Sequence, residues 1–143
     1  MNKHFVMSVV ALFIMSMILG FIVHGTLLHA DYVKLQHLFR GAEETEYLPY
    51  MLAAHLSIAI GMTWIYRQGR DNRPWLGQGI RFGLAVTVLA TIPMYLIYYA
   101  VQPMPSDLVA KQIIFDAISM VILGILAAVI NRDAIAARIP AHP

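Results

Sequence analysis

Four apolar blocks take up most of the chain. Phe5–Leu28 has no acidic or basic residue except His24, and Tyr47–Tyr66 has only His55. Phe82–Val101 has none, and Leu108–Ile130 has Lys111 near one end and Asp116. Each block supplies the ~20 residues that a helix needs to cross ~30 Å of hydrocarbon. The sequence therefore predicts an all-α integral membrane protein. Its expected form is a four-transmembrane-helix bundle, with helices at about 5–28, 47–66, 82–101 and 108–130 in a single domain covering 1–143. With 59% hydrophobic and 13% charged residues in 143, no stretch is left over for a soluble domain. The mean hydropathy of +0.67 agrees. The first block starts with Lys3, as a signal peptide would. It is longer than the ~7–15 apolar residues of a signal core, and a cut after Ala30 would put the bulky Leu28 where a small residue is needed. It is expected to remain as a helix.

Orientation follows from the basic residues. Lys3, Arg67, Arg70, Arg73, Arg81, Arg132 and Arg138 fall on one side, against Lys34, Arg40 and Lys111 on the other. The positive-inside rule then places both termini in the cytoplasm, with the cytoplasmic membrane of a bacterial cell as the expected site. The loop carrying Asp31, Glu43, Glu44 and Glu46 faces outward. A sequence pI near 9.0 reflects the basic inner rim and points to the lipid bilayer, with anionic headgroups, as a partner. There is no interleaving of basic and aromatic residues of the kind a nucleic-acid module needs, so no nucleic-acid partner is expected. Cysteine is absent, which excludes disulfide exchange, thiolate metal sites and iron–sulfur clusters carried by this chain alone.

The connections are short. Asp31–Phe39 has apolar residues (Tyr32, Val33, Leu35, Leu38, Phe39) near helical spacing. It is expected either to prolong the first helix or to lie along the interface, ending at Gly41. Arg67–Gly79 reads as turns, and Ser106 or Asp107 as the cap of the fourth helix. Tyr47 and Tyr50 form one aromatic belt, and Trp64, Tyr66 and Trp75 the other. Pro93 removes the donor that the Leu89 carbonyl would use, and a kink is expected there.

Each helix has one stripe of small or polar residues. These are Ser16, Gly20, His24 and Leu28 in the first; Met51, His55, Ala59 and Met62 in the second; Thr87, Thr91, Tyr95, Tyr98 and Gln102 in the third; and Gln112, Asp116, Ser119 and Leu123 in the fourth. In lipid such stripes face other helices. Counted from the outer helix ends at ~1.5 Å per residue, His24, His55, Tyr95 and Asp116 all fall about 6–12 Å deep. An ionisable residue at that depth is a candidate site, because it is costly unless paired. His24, His55, Tyr95 and Asp116 are therefore the candidate ligand or proton site, with His29, Asp31, Tyr98 and Gln112 as secondary candidates.

Two histidines and a carboxylate can bind a divalent metal, and two histidines on facing helices can ligate haem. Histidine, tyrosine and aspartate can also pass protons. No spacing selects among these, and no His-Glu-x-x-His is present. The same groups would also satisfy one another as helix–helix contacts with no further role. No nucleophile stands beside a base, so the sequence favours a non-enzyme. It reads as a small binding or accessory membrane subunit whose polar layer holds a cofactor, a proton or a small ligand. The alternatives are a minimal proton-coupled transporter working as a homo-oligomer and a purely structural four-helix protein. A homo-oligomer or a larger membrane complex is the expected assembly.

Overall fold

The computed structural model describes residues 3–40, 44–71 and 74–132. Arg73 and Arg138 of the basic rim, Gly41 and Glu43 lie outside the described residues. Every regular element among the described residues is helical. Four runs are long and apolar enough to cross a membrane: Lys3–Leu27, Thr45–Gly69, Trp75–Val101 and Ser106–Asn131. The protein is all-α and membrane-integral, as the apolar blocks require.

The third span begins earlier than the apolar pattern predicts. Pro74 is extended (ψ 126°), and the helix starts at Trp75. Gly77 and Gly79, read from the sequence as turn residues, are therefore helical. Gln78 secures this start: its Nε2 donates to the Asp71 carbonyl at 2.9 Å, and its Oε1 accepts from the Asp71 N–H at 3.1 Å. The fourth span also begins without the expected cap. Pro105 occupies the capping position, and no side chain bonds there. Asp107 instead lies in the first turn, where a negative charge favours the helix dipole, 3.6 Å from Lys111.

The first and fourth spans form the middle of the assembly, with the second packed on the first and the third on the fourth. Lipid supplies no hydrophobic force between helices, so close backbone approach must do much of the holding. Gly79 and Gly83, one turn apart, lie directly against the fourth span. A methyl group on Gly83 would fall 2.5 Å from the Val121 Cα, and one on Gly79 2.7 Å from the Ile125 Cα. Gly124 faces both from the other side, and a methyl there would strike Gly79 and Gly83.

At the basic end, Asn131 Nδ2 donates to Ser8 Oγ at 2.7 Å and to the Ala127 carbonyl at 2.8 Å. Arg70 donates to the Asn131 carbonyl at 3.3 Å. These bonds bring the start of the first span to the ends of the second and fourth. The core at this end combines all four spans: Leu12 from the first; Ala59, Met62 and Tyr66 from the second; Phe82 from the third; and Leu123 and Ala127 from the fourth. The core at the opposite end does not. It is built from Val23, Leu28, Tyr95, Met104, Leu108 and Val109, with no residue of the second span. Accordingly Leu48–Ala54 is exposed at every position, including Met51 of the expected buried stripe. That half of the second span stands clear of the bundle.

Two helices contain a widened turn. In Phe21–Leu27 the backbone bonds reach five residues back, ending with the Leu28 N–H on the Val23 carbonyl at 2.9 Å. In Thr87–Thr91 the Ile92 N–H bonds to the Thr87 carbonyl in the same way. The second widening directly precedes Pro93 and relieves the crowding its ring imposes on the preceding turn, where the sequence predicts a kink.

The glycine contact predicts an asymmetric response to substitution. Gly83→Leu should lower stability by at least about 1–3 kcal/mol, the cost of overpacking a tight contact. Gly77→Ala should be neutral or slightly stabilising, since a methyl there meets nothing within 4 Å. Thermal unfolding in detergent, followed by circular dichroism, would show the difference.

Candidate functional site

Three of the four candidate side chains come together at the end opposite the basic rim. His24 sits inside the first widened turn, where the altered backbone pitch sets its direction. Its Nε2 lies 3.5 Å from Asp116 Oδ1 on the fourth span. The Tyr95 hydroxyl, from the third span just beyond Pro93, donates to Asp116 Oδ2. Three different spans thus converge on one carboxylate. The Asp116 side chain is 16% exposed and that of His24 37%.

The chain of bonds extends beyond these residues. His24 Nδ1 lies 2.7 Å from the Tyr32 hydroxyl, and Gln112 Nε2 donates to the same hydroxyl at 3.0 Å. Gln112, a secondary candidate, belongs to the network, and its Oε1 is buried with no hydrogen-bond partner. Tyr32 is the member that sequence reasoning missed. Its apolar spacing marked it as part of a hydrophobic face, and the residue does pack, half-buried, against the core at this end. Its hydroxyl nevertheless points back at His24, because the helix His29–Lys34 follows directly on the first span after a break at Leu28. Burial, opposed by the Gln112 hydrogen bond and aided by the charge of Asp116, holds the Tyr32 phenol above its ordinary value of 10.0. Near neutral pH it is therefore a protonated hydroxyl, able to donate and accept.

His55 occupies a different level. Its Nδ1 lies 3.0 Å from Ser16 Oγ, and its ring passes the bare backbone of Gly20, a turn or more along the first span from His24. Among the secondary candidates, His29 is exposed, and Tyr98 is 46% exposed. Asp31 is mostly covered and bonds Lys111 of the fourth span at 2.8 Å, with Lys34 at 3.7 Å. This pair fastens the short helix over the His24 network.

His24 has a protein group at each ring nitrogen. Among the described residues no three His, Asp or Glu side chains gather as metal ligands. The arrangement is a chain of hydrogen bonds, Tyr95–Asp116 and His24–Tyr32–Gln112, joined by the 3.5 Å approach of His24 to Asp116, and is suited to holding or moving a proton.

The Asp31 clasp predicts an acid-sensitive lid. The hydrogen bond from Lys111 holds the Asp31 carboxyl below its ordinary 3.8, with Lys34 adding to the effect. A depressed carboxyl stabilises fully above the unfolded value, and that contribution is lost as pH falls below it. The protection factors of the Tyr32–Leu35 amides, measured against their intrinsic rates at each pH, should be highest near pH 7 and fall below about pH 3.8. Asp31→Asn should remove that dependence. Comparison of the chain with protein-family models, curated proteins and solved structures finds no match.

Proposed function

We propose that the chain is a small integral membrane subunit of the binding or accessory type, whose polar layer holds a proton on the His24–Asp116 pair. The observation that carries this reading is the His24 ring, which stands between a carboxylate at 3.5 Å and a tyrosine hydroxyl at 2.7 Å, with a second tyrosine hydroxyl donating to that carboxylate. A lone carboxylate charge in hydrocarbon is costly, at least ~2.5–3.5 kcal/mol on insertion scales for aspartate. The pair is neutral overall when it carries one shared proton, on either partner. Tyr95 and Gln112 then fix the geometry, and Tyr32 stands on the short helix that Lys111 fastens through Asp31.

The orientation proposed is that of the positive-inside rule, with the basic end in the cytoplasm of a bacterial cell. The bond of Asn131 to Ser8 supports it by setting the start of the first span and the end of the fourth at one end of the bundle. Reporter fusions at Glu44 and Asp71 should report opposite compartments, with Asp71 inside. An external Asp71 would reverse the topology.

Asp116→Asn separates a proton site from a simple contact, because the amide keeps the volume and hydrogen bonding but cannot ionise. In lipid nanodiscs, the ring-nitrogen and carboxyl-carbon resonances of His24 and Asp116 should show one proton shared by the pair in wild type, and a neutral His24 ring in Asp116→Asn. Helix content should be equal in the two proteins. A bare Asp116 carboxylate beside a neutral His24 ring in wild type would leave the network as a structural contact only. Proton flux through wild-type vesicles, lost in Asp116→Asn, would instead favour the transporter reading.

A further inference from the structure

We propose that His55 Nε2 is an acceptor site for the hydroxyl of a lipid-soluble molecule, reached from the membrane beside the free-standing half of the second span. The inference is independent of the His24–Asp116 proton and goes beyond it. It begins with Ser16, whose hydroxyl donates to the Phe13 carbonyl at 2.9 Å. A hydroxyl has one proton, so Ser16 Oγ can only accept from His55 Nδ1, 3.0 Å away. Nδ1 therefore carries hydrogen, and in the neutral ring Nε2 presents a bare lone pair. Among the described residues no protein group bonds to it.

Hydrocarbon cannot satisfy that lone pair, and an acceptor in such surroundings calls for a donor. The surroundings admit one. Gly20 contributes no side chain beside the ring, and a methyl group there would lie 3.2 Å from His55 Cε1 and 3.4 Å from Nε2. Toward the opposite end, Leu48–Ala54 is exposed throughout, and the core beyond His24 takes nothing from this span. A ligand with an apolar body and one hydroxyl fits that chemistry, with the body replacing lipid and the hydroxyl meeting Nε2. The second ring nitrogen fixed by a neighbour is the same device that orients histidine toward a ligand elsewhere.

The test uses two probes of nearly equal shape, 2-naphthol and 2-methoxynaphthalene, of which only the first can donate. In nanodiscs, the nitrogen resonance of His55 Nε2 should be that of an unprotonated nitrogen. It should move on adding 2-naphthol and stay unmoved with 2-methoxynaphthalene. His55→Phe should abolish the preference for the donor. Ser16→Ala, which keeps the ring but frees the proton to move to Nε2, should weaken 2-naphthol binding roughly five- to tenfold, the worth of one neutral hydrogen bond. Equal binding of both probes, a protonated Nε2, or a haem absorption band or bound metal in the purified protein would each overturn the proposal.

Discussion

Hydrocarbon contains no hydrogen-bond partner, so every polar side chain that enters it must be answered by another. This requirement fixes the end of the bundle that carries His24. Asp116 alone would be among the costliest residues in the fourth span, and it draws Tyr95 from the third span and His24 from the first. His24 in turn brings in Tyr32, and Gln112 closes on the same hydroxyl. One carboxylate therefore decides how three spans and a short helix meet. The two widened turns fall where this convergence needs a change of helical pitch, one around His24 and one immediately before Pro93 and Tyr95.

The basic end is held by the opposite means. Gly79, Gly83 and Gly124 let the third and fourth spans approach until their backbones touch. There dispersion between closely spaced atoms does the work that water would do in a soluble core. Asn131 is a strongly polar anchor there, tying Ser8 and Arg70 to the end of the fourth span. The bundle is thus tight and mostly apolar at one end and polar and partly open at the other. The rigid end positions the helices, and the open end leaves His24 and His55 accessible.

The same contrast explains the second span. Its basic half carries Ala59 and Met62, which pack into the shared core. In its other half Leu48–Ala54 packs into neither core, since the three remaining spans already satisfy Asp116 among themselves. His55 lies at the junction, with one nitrogen committed to Ser16 and the other, beside the bare backbone of Gly20, without a hydrogen-bond partner among the described residues.

The sequence alone determined that this chain lives in a membrane, that it has four spans, and which residues are too polar for their depth. Those conclusions rest on length and transfer cost, which are properties of residues counted along a chain. His24, Tyr95, Asp116 and Gln112 were legible because each stands on a helix stripe. Gly79 and Gly83 also left a signal in their four-residue spacing, although the glycines around them suggested turns. Tyr32 left none, because a tyrosine at apolar spacing looks the same whether its hydroxyl meets water or a histidine. Only the tertiary structure separated His55 from the other three, recruited Tyr32, and left half of the second span unpacked. Those outcomes depend on which helix lies against which, and transfer energies say that a side chain must find a partner without saying which partner it finds.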